Sequence, residues 1–138
     1  MSDHKITRVR DVMNSAVHVI DGLATIRQAI DFMREQKVNS LIIDKRGDDD
    51  EYGMVSVHDI AGKVLAPNHS VDRMNVYEIM SKPVLHVDAK MNVRYAIRLL
   101  TRFKLSRALV VEEGKMTGIV TLRDMAVRYV DVGPKDTK

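Results

Sequence analysis

The sequence predicts an α/β fold built twice, as a β-α-β-β-α unit repeated along a chain of 138 residues. Four matched stretches predict it. VRDVMNSAV at Val9–Val17 returns as VYEIMSKPV at Val76–Val84, 67 residues on, and IDGLATIRQAI from Ile20 returns as VDAKMNVRYAI from Val87 at the same spacing. KVNSLII from Lys37 likewise returns as KLSRALV from Lys104. Self-similarity at a fixed period marks a repeated supersecondary unit. Finally, GMVSVHD (Gly53–Asp59) and GIVTLRD (Gly118–Asp124) match at an offset of 65. The two lost residues fall in a turn, where RGDDDEY makes the first copy longer, and turns absorb length changes that strands and helices do not.

Each copy reads in the same order. It opens on a short turn or helix around DVM or EIM, followed by a short apolar strand, VHVI (Val17–Ile20) or VLHV (Val84–Val87). A helix follows. Thr25 and Gln28 form a capping-box pair at its start in the first copy, and Asn92 is an N-cap in the second. Ile26, Ala29, Ile30 and Met33 share one helical face, as do Val93, Ala96, Ile97 and Leu100. Two hairpin strands come next, SLIID to YGMVS and RALVVE to MTGIVT. A closing helix, VHDIAGKVL or LRDMAVRYV, ends each copy. The domain reading is a first repeat over 7–66, a linker over 67–74 within APNHSVDRM, a second repeat over 75–130 and a loose tail over 131–138. A half of about 60 residues is marginal alone. The two halves are therefore expected to pack sheet to sheet about a pseudo-two-fold axis, with a crevice between their closing corners.

Composition narrows the functional classes. There is no cysteine, so neither a disulfide framework nor a thiolate metal site is available, and a reducing, cytoplasmic setting is expected. No apolar run approaches the ~20 residues of a membrane span. The N-terminal MSDHKITRVRD has no apolar signal core, so secretion is not expected. A net charge of +3 arises from 22 basic residues scattered among 19 acidic ones, and aromatics are only 4%. Single-strand binders set stacking aromatics beside a basic groove, and that pairing is missing.

The closing corner carries the chemistry. Ser56-Val57-His58-Asp59 and Thr121-Leu122-Arg123-Asp124 each place a hydroxyl three residues before a carboxylate, where strand gives way to helix. One reading is structural: the hydroxyl caps the helix and the carboxylate sits at its positive end. The other is functional: a carboxylate at such a corner accepts the two hydroxyls of a ribose, with Arg123 or His58 beside it to face phosphate. The glycine ahead of each strand admits a ligand or a neighbouring backbone. Both readings can hold at once.

Two β-α-β-β-α repeats, each opening V-x-x-h-M and closing G-h-h-S/T-h-x-D, resemble the CBS domain in its tandem form, the Bateman module, over about residues 7–130. The resemblance implies a stand-alone regulatory module, not an enzyme. It would sense adenosine-containing ligands (AMP, ADP, ATP, NAD or S-adenosylmethionine) and signal by conformational change to an effector protein. It also implies homodimers paired through helices. One implied site joins Thr121, Arg123 and Asp124 to Val17, His18, Val38 and Asn39. The other joins Ser56, His58 and Asp59 to Val84, Leu85, Leu105 and Ser106. The chain departs from the family in having no proline in its middle strands, Leu41-Ile42-Ile43 and Ala108-Leu109-Val110.

Other chemistries are poorly provided for. His4, His18, His58, His69 and His86 make no i, i+4 pair, so no metal site is expected. DDDE at Asp48–Glu51 lacks the spacing of a calcium loop and reads as a solvated hairpin turn. Met33, Met54, Met91 and Met125 fall at core-like positions. No nucleophile–base set stands out, and catalysis is not expected. The rivals are a ligand-free interaction module, in which the corners are only caps, and a nucleic-acid binder, to which the pI of about 9.2 points without a basic stripe to support it.

Overall fold

The computed structural model describes residues 6–132. The sequence-predicted α/β class holds: two three-stranded sheets, each with helices, arise from two copies of the same element order. The compact units are not cut where the sequence repeats are cut. One unit is His18–Val84; the other combines Met1–Val17 with Leu85–Lys138. The opening segment of each sequence repeat therefore belongs to the unit that carries the other repeat's sheet.

In the His18–Val84 unit, β1 (Val19–Ile20) runs parallel to β2 (Ser40–Ile43), and β2 pairs antiparallel with β3 (Gly53–Ser56). Between β1 and β2 lies α2 (Ile26–Gln36), and α3 (Val57–Ile60) follows β3 without a break. Thr25 and Gln28 make the expected capping box: the Gln28 N–H donates to Thr25 Oγ1 at 3.1 Å, and Gln28 Oε1 accepts the Thr25 N–H at 2.8 Å. The helix ends on Lys37 in the left-handed region (φ 57°), where the Val38 N–H reaches back to the Met33 carbonyl at 3.0 Å. The closing helix departs from expectation after Ile60. Ala61–Leu65 is a wider π turn, with the Ala66 N–H on Ala61 O at 2.8 Å. Ile26, Met33, Leu41, Ile43, Val55 and Ile60 form the core. Each such buried aliphatic side chain contributes roughly 1.5–3 kcal/mol, which a unit this small needs.

The other unit begins with α1 (Val9–Val12) and resumes with β4 (His86–Asp88), α4 (Val93–Arg102), β5 (Arg107–Glu112), β6 (Lys115–Thr121) and α5 (Leu122–Val132). β4 is parallel to β5, and β5 pairs antiparallel with β6, with a register shift at Val110/Val111. Glu113 and Gly114 both have positive φ, the geometry of a tight two-residue hairpin turn. Asn92 caps α4 by accepting the Arg94 N–H at 2.9 Å, as the sequence predicts. The core is built on Val9, Val12, Val93, Leu100, Val110 and Met125. Of the expected core methionines, Met33, Met54 and Met125 are buried, and Met91 is only partly so. Asp131 and Val132, assigned to the tail by sequence, are the last residues of α5; 133–138 lie outside the described residues, as does His4.

Symmetry in the hydrogen bonds shows how the opening segments are held. In one unit the Val93 N–H donates to Thr7 O and the Val9 N–H to Met91 O. In the other the Ile26 N–H donates to Met74 O and the Val76 N–H to Ala24 O. Asn14 and Ile119 exchange backbone hydrogen bonds, both 2.9 Å, and Ser81 and Met54 do the same at the same length. Part of the expected linker is thus structural. Val71 and Met74 accept from the first turn of α2, whose N–H groups lack partners within the helix.

Candidate functional site

Each closing corner stands where an antiparallel strand runs directly into a helix. In the His18–Val84 unit, Ser40 pairs with Ser56, and the Val57 N–H donates to Asn39 O at 2.9 Å. In the other unit, Arg107 pairs with Thr121, and the Leu122 N–H donates to Ser106 O at 2.7 Å. Within its own unit, then, Asn39 adjoins the Ser56 corner and Ser106 adjoins the Thr121 corner. Val38 and Leu105 each follow a left-handed lysine, Lys37 (φ 57°) or Lys104 (φ 55°), and this turn sets the direction in which Asn39 and Ser106 enter their strands.

The two corners are alike in backbone and unlike in how they use the carboxylate. At the first, the Asp59 N–H donates to Ser56 Oγ at 3.1 Å, while Asp59 Oδ2 accepts both the Ser56 N–H and the Ser56 hydroxyl at 3.0 Å each. Its other oxygen lies 3.9 Å from Lys63 Nζ. At the second, the Asp124 N–H donates to Thr121 Oγ1 at 3.0 Å, but among the described residues no donor reaches the Asp124 carboxylate. The Arg123 guanidinium stands 4.0 Å from it and is itself 84% exposed. The capping reading is therefore realised in full at Ser56–Asp59 and by the hydroxyl alone at Thr121–Asp124.

The remaining site residues are placed as follows. His18 O accepts the Ile42 N–H and Leu85 O accepts the Leu109 N–H, each at 2.9 Å, so both take part in their sheets through the backbone. The His18 ring meets Phe32 edge-on, with centroids 5.9 Å apart. His58, Asn39, Leu105 and Ser106 are exposed, and Val17, Val38, Val84 and Leu85 are half-buried. A cavity of about 440 Å3 lies between α2 and α3, lined by Ile30, Val38, Asn39, Val57, Ala61 and Leu65 among others. Neither Ser56 nor Asp59 lines it.

The glycines resolve in favour of a neighbouring backbone. A Cβ on Gly118 would stand 2.7 Å from Met13 Sδ and 2.8 Å from the Asn14 carbonyl oxygen. On Gly53 it would stand 2.7 Å from Met80 Sδ and 3.3 Å from Ser81 O. The motif glycine and the motif methionine are thus two sides of one contact.

Two residues with a structural role escaped sequence reasoning. Arg128 donates to the carbonyls of Val12 and Met13, both at 3.3 Å, and Lys63 donates to Ile79 O at 3.3 Å. Each lies four residues beyond a motif aspartate, and that shared spacing was the available signal. The acidic turn also differs from expectation. Asp48 and Asp49 are exposed, but the Asp50 carboxylate holds Lys82 Nζ at 2.6 Å and the Arg46 N–H at 2.9 Å, which drive its pKa well below the usual carboxylate range. Asp50 also lines a cavity of about 540 Å3 together with Asp21, Asp44, Lys45, Arg46 and Tyr77. Among the described residues no cluster of His, Cys, Asp or Glu could hold a metal ion, and no helix is long and apolar enough to cross a membrane.

The corners, the repeat and the sheets have counterparts among known proteins. Hypoxic response protein 1 of Mycobacterium tuberculosis is 30% identical over 122 residues, covering 88% of this chain and 84% of that protein. The hexameric CBS-CP12 protein from bloom-forming cyanobacteria superposes with a TM-score of 0.87 at 33% identity, over 96% of this chain and 74% of that one. A CBS domain pair solved in complex with 5'-methylthioadenosine and S-adenosyl-L-methionine superposes with a TM-score of 0.78, over 92% of this chain and 98% of that one. At 23% identity, that last likeness speaks for the fold alone. The profile of the CBS domain matches twice, at residues 9–66 and 76–131. The chain belongs to the CBS domain family, as a tandem pair of its repeats.

Proposed function

We propose that this CBS pair is a regulatory binding module for an adenosine-containing ligand, whose ribose hydroxyls are taken by a motif aspartate. The observation that carries the reading is the Asp124 carboxylate, which is held at a strand–helix corner by Thr121 yet accepts no hydrogen bond among the described residues. A carboxylate in that state is ready for two donors, and a ribose diol offers two. Arg123 beside it supplies a cation for phosphate. A CBS pair of the same fold has been solved with two adenosine derivatives, so the fold can admit that ligand class. Val17, His18, Val38 and Asn39 are the residues the family resemblance assigns to the adenine of that ligand.

Signalling in this reading is linkage. A ligand that binds one arrangement of the module more tightly than another shifts the population, and an effector protein or a second copy of the chain reads the shift. The homodimer is part of the proposal, and the hexameric cyanobacterial CBS protein shares the habit of assembling. The test is a thermal-shift screen with AMP, ADP, ATP, NAD, S-adenosylmethionine and 5'-methylthioadenosine, with guanosine nucleotides as controls. A ligand at 100 times its dissociation constant adds about 2.7 kcal/mol, a readily measured rise in Tm. A rise with adenosine compounds and none with guanosine compounds is the expected result. No rise with any of them refutes the reading and leaves an interaction module whose corners are caps.

A further inference from the structure

We infer that the two corners are functionally unequal: Asp124 is the ligand carboxylate, and Asp59 is committed to holding its own unit together. The inference rests on the adenosine reading for Asp124 and on structure alone for Asp59. A carboxylate offers about four lone-pair positions. Asp59 uses two of them on the Ser56 N–H and hydroxyl and turns its second oxygen toward Lys63. Lys63 in turn donates to Ile79 O, at the end of the Val76–Glu78 turn that opens the second sequence repeat. Asp59 is thereby the first member of a chain, Ser56–Asp59–Lys63–Ile79, that fastens the opening segment to this unit.

Among the described residues the Asp124 carboxylate starts no such chain. Arg128, which matches Lys63 in position, is engaged with Val12 and Met13 carbonyls and makes no ion pair with Asp124 among the described residues. The Asp124 side chain is also the more open of the two, at 36% exposure against 23% for Asp59. A ribose arriving at Asp59 would meet one carboxylate oxygen already bonded twice by Ser56 and the other facing Lys63, whereas among the described residues both oxygens of Asp124 are open to its hydroxyls. The helices differ in the same sense. α5 runs 11 residues from its corner, whereas α3 has four before it widens into the π turn.

The experiment is calorimetric titration of the full chain with AMP and with 5'-methylthioadenosine, using the parent, Asp124→Asn and Asp59→Asn, with melting temperatures measured on all three without ligand. The expected result is one tight equivalent per chain for the parent. Affinity should fall about 10- to 100-fold in Asp124→Asn, the loss of hydrogen bonds to a charged group. In Asp59→Asn affinity should change less than about three-fold, since its site is a separate one. Without ligand, Asp59→Asn melts lower than the parent and Asp124→Asn does not. Two equal sites in the parent, equal losses of affinity in the two variants, or equal melting temperatures for the two variants would each overturn the inequality. Failure of the parent to bind either compound defeats the adenosine reading and the role of Asp124 with it; the melting comparison then still decides the role of Asp59.

Discussion

Met13 Sδ lies 2.7 Å from the point where a Cβ on Gly118 would stand, and the Asn14 carbonyl oxygen lies 2.8 Å from it. Overpacking of this kind costs about 1–3 kcal/mol. Gly118→Ala is therefore expected to destabilise the chain more than Gly53→Ala does. At Gly53 the close neighbour is the flexible end of Met80, and the backbone oxygen of Ser81 stands off at 3.3 Å. Denaturant unfolding of both variants checks the order. Met80→Ala should recover part of the loss in Gly53→Ala, while Met13→Ala should leave most of the loss in Gly118→Ala, because the Asn14 carbonyl stays in place.

Acid should act on the Asp50–Lys82 tie. The Lys82 ammonium first, and then the Arg46 N–H, lower the Asp50 pKa from its ordinary 3.8. A group whose folded pKa is depressed binds fewer protons folded than unfolded. Its stabilisation is complete above the ordinary value and drains away as pH falls toward the folded one. The parent should lose stability more steeply than Asp50→Asn as pH falls below 3.8. Lys82→Met, which removes the largest cause of the shift, should fall between them. Equal slopes for the parent and Asp50→Asn would show that the tie does not form in solution.

Arg128→Met should lower stability by about 1 kcal/mol, the usual net value of a hydrogen bond. Because Arg128 binds the carbonyls of Val12 and Met13, not a carboxylate, that loss should persist at high salt, where exposed ion pairs are screened. Thermal melting of the parent and the variant at low and at high ionic strength is the check. A loss that vanishes with salt would mean the guanidinium acts through its charge alone.

Much of this architecture was legible because it is written in side chains. The repeat, the capping box of Thr25 and Gln28, the Asn92 cap and both hairpins each have a local signature, and each is present. The opening strands are shorter than their apolar runs, since only Val19–Ile20 and His86–Asp88 find ladder partners. What sequence could not reveal is held by the backbone. The contacts of Val93 with Thr7 and of Ile26 with Met74 join main-chain atoms, which any residue but proline could supply as donor. The sequence traces of that docking are the basic residue four beyond each motif aspartate and the methionine–glycine pair, which recurs in both repeats and was open to reading as a ligand's approach. The difference between the two corners was equally hidden, because Ser-x-x-Asp and Thr-x-x-Asp have the same capping potential and only the geometry distinguishes their carboxylates.

The exchange of opening segments bears on ancestry. A half-length forebear carrying a single repeat would have had its first dozen residues on the wrong side of the cut, with the glycine of its own strand left uncovered. It would have closed only by lending that arm to a second copy and borrowing one in return. Gene duplication and fusion would then have turned a loan between two chains into a bond within one. The compact unit accordingly begins at His18 and ends at Val84, out of phase with the repeat that the sequence displays.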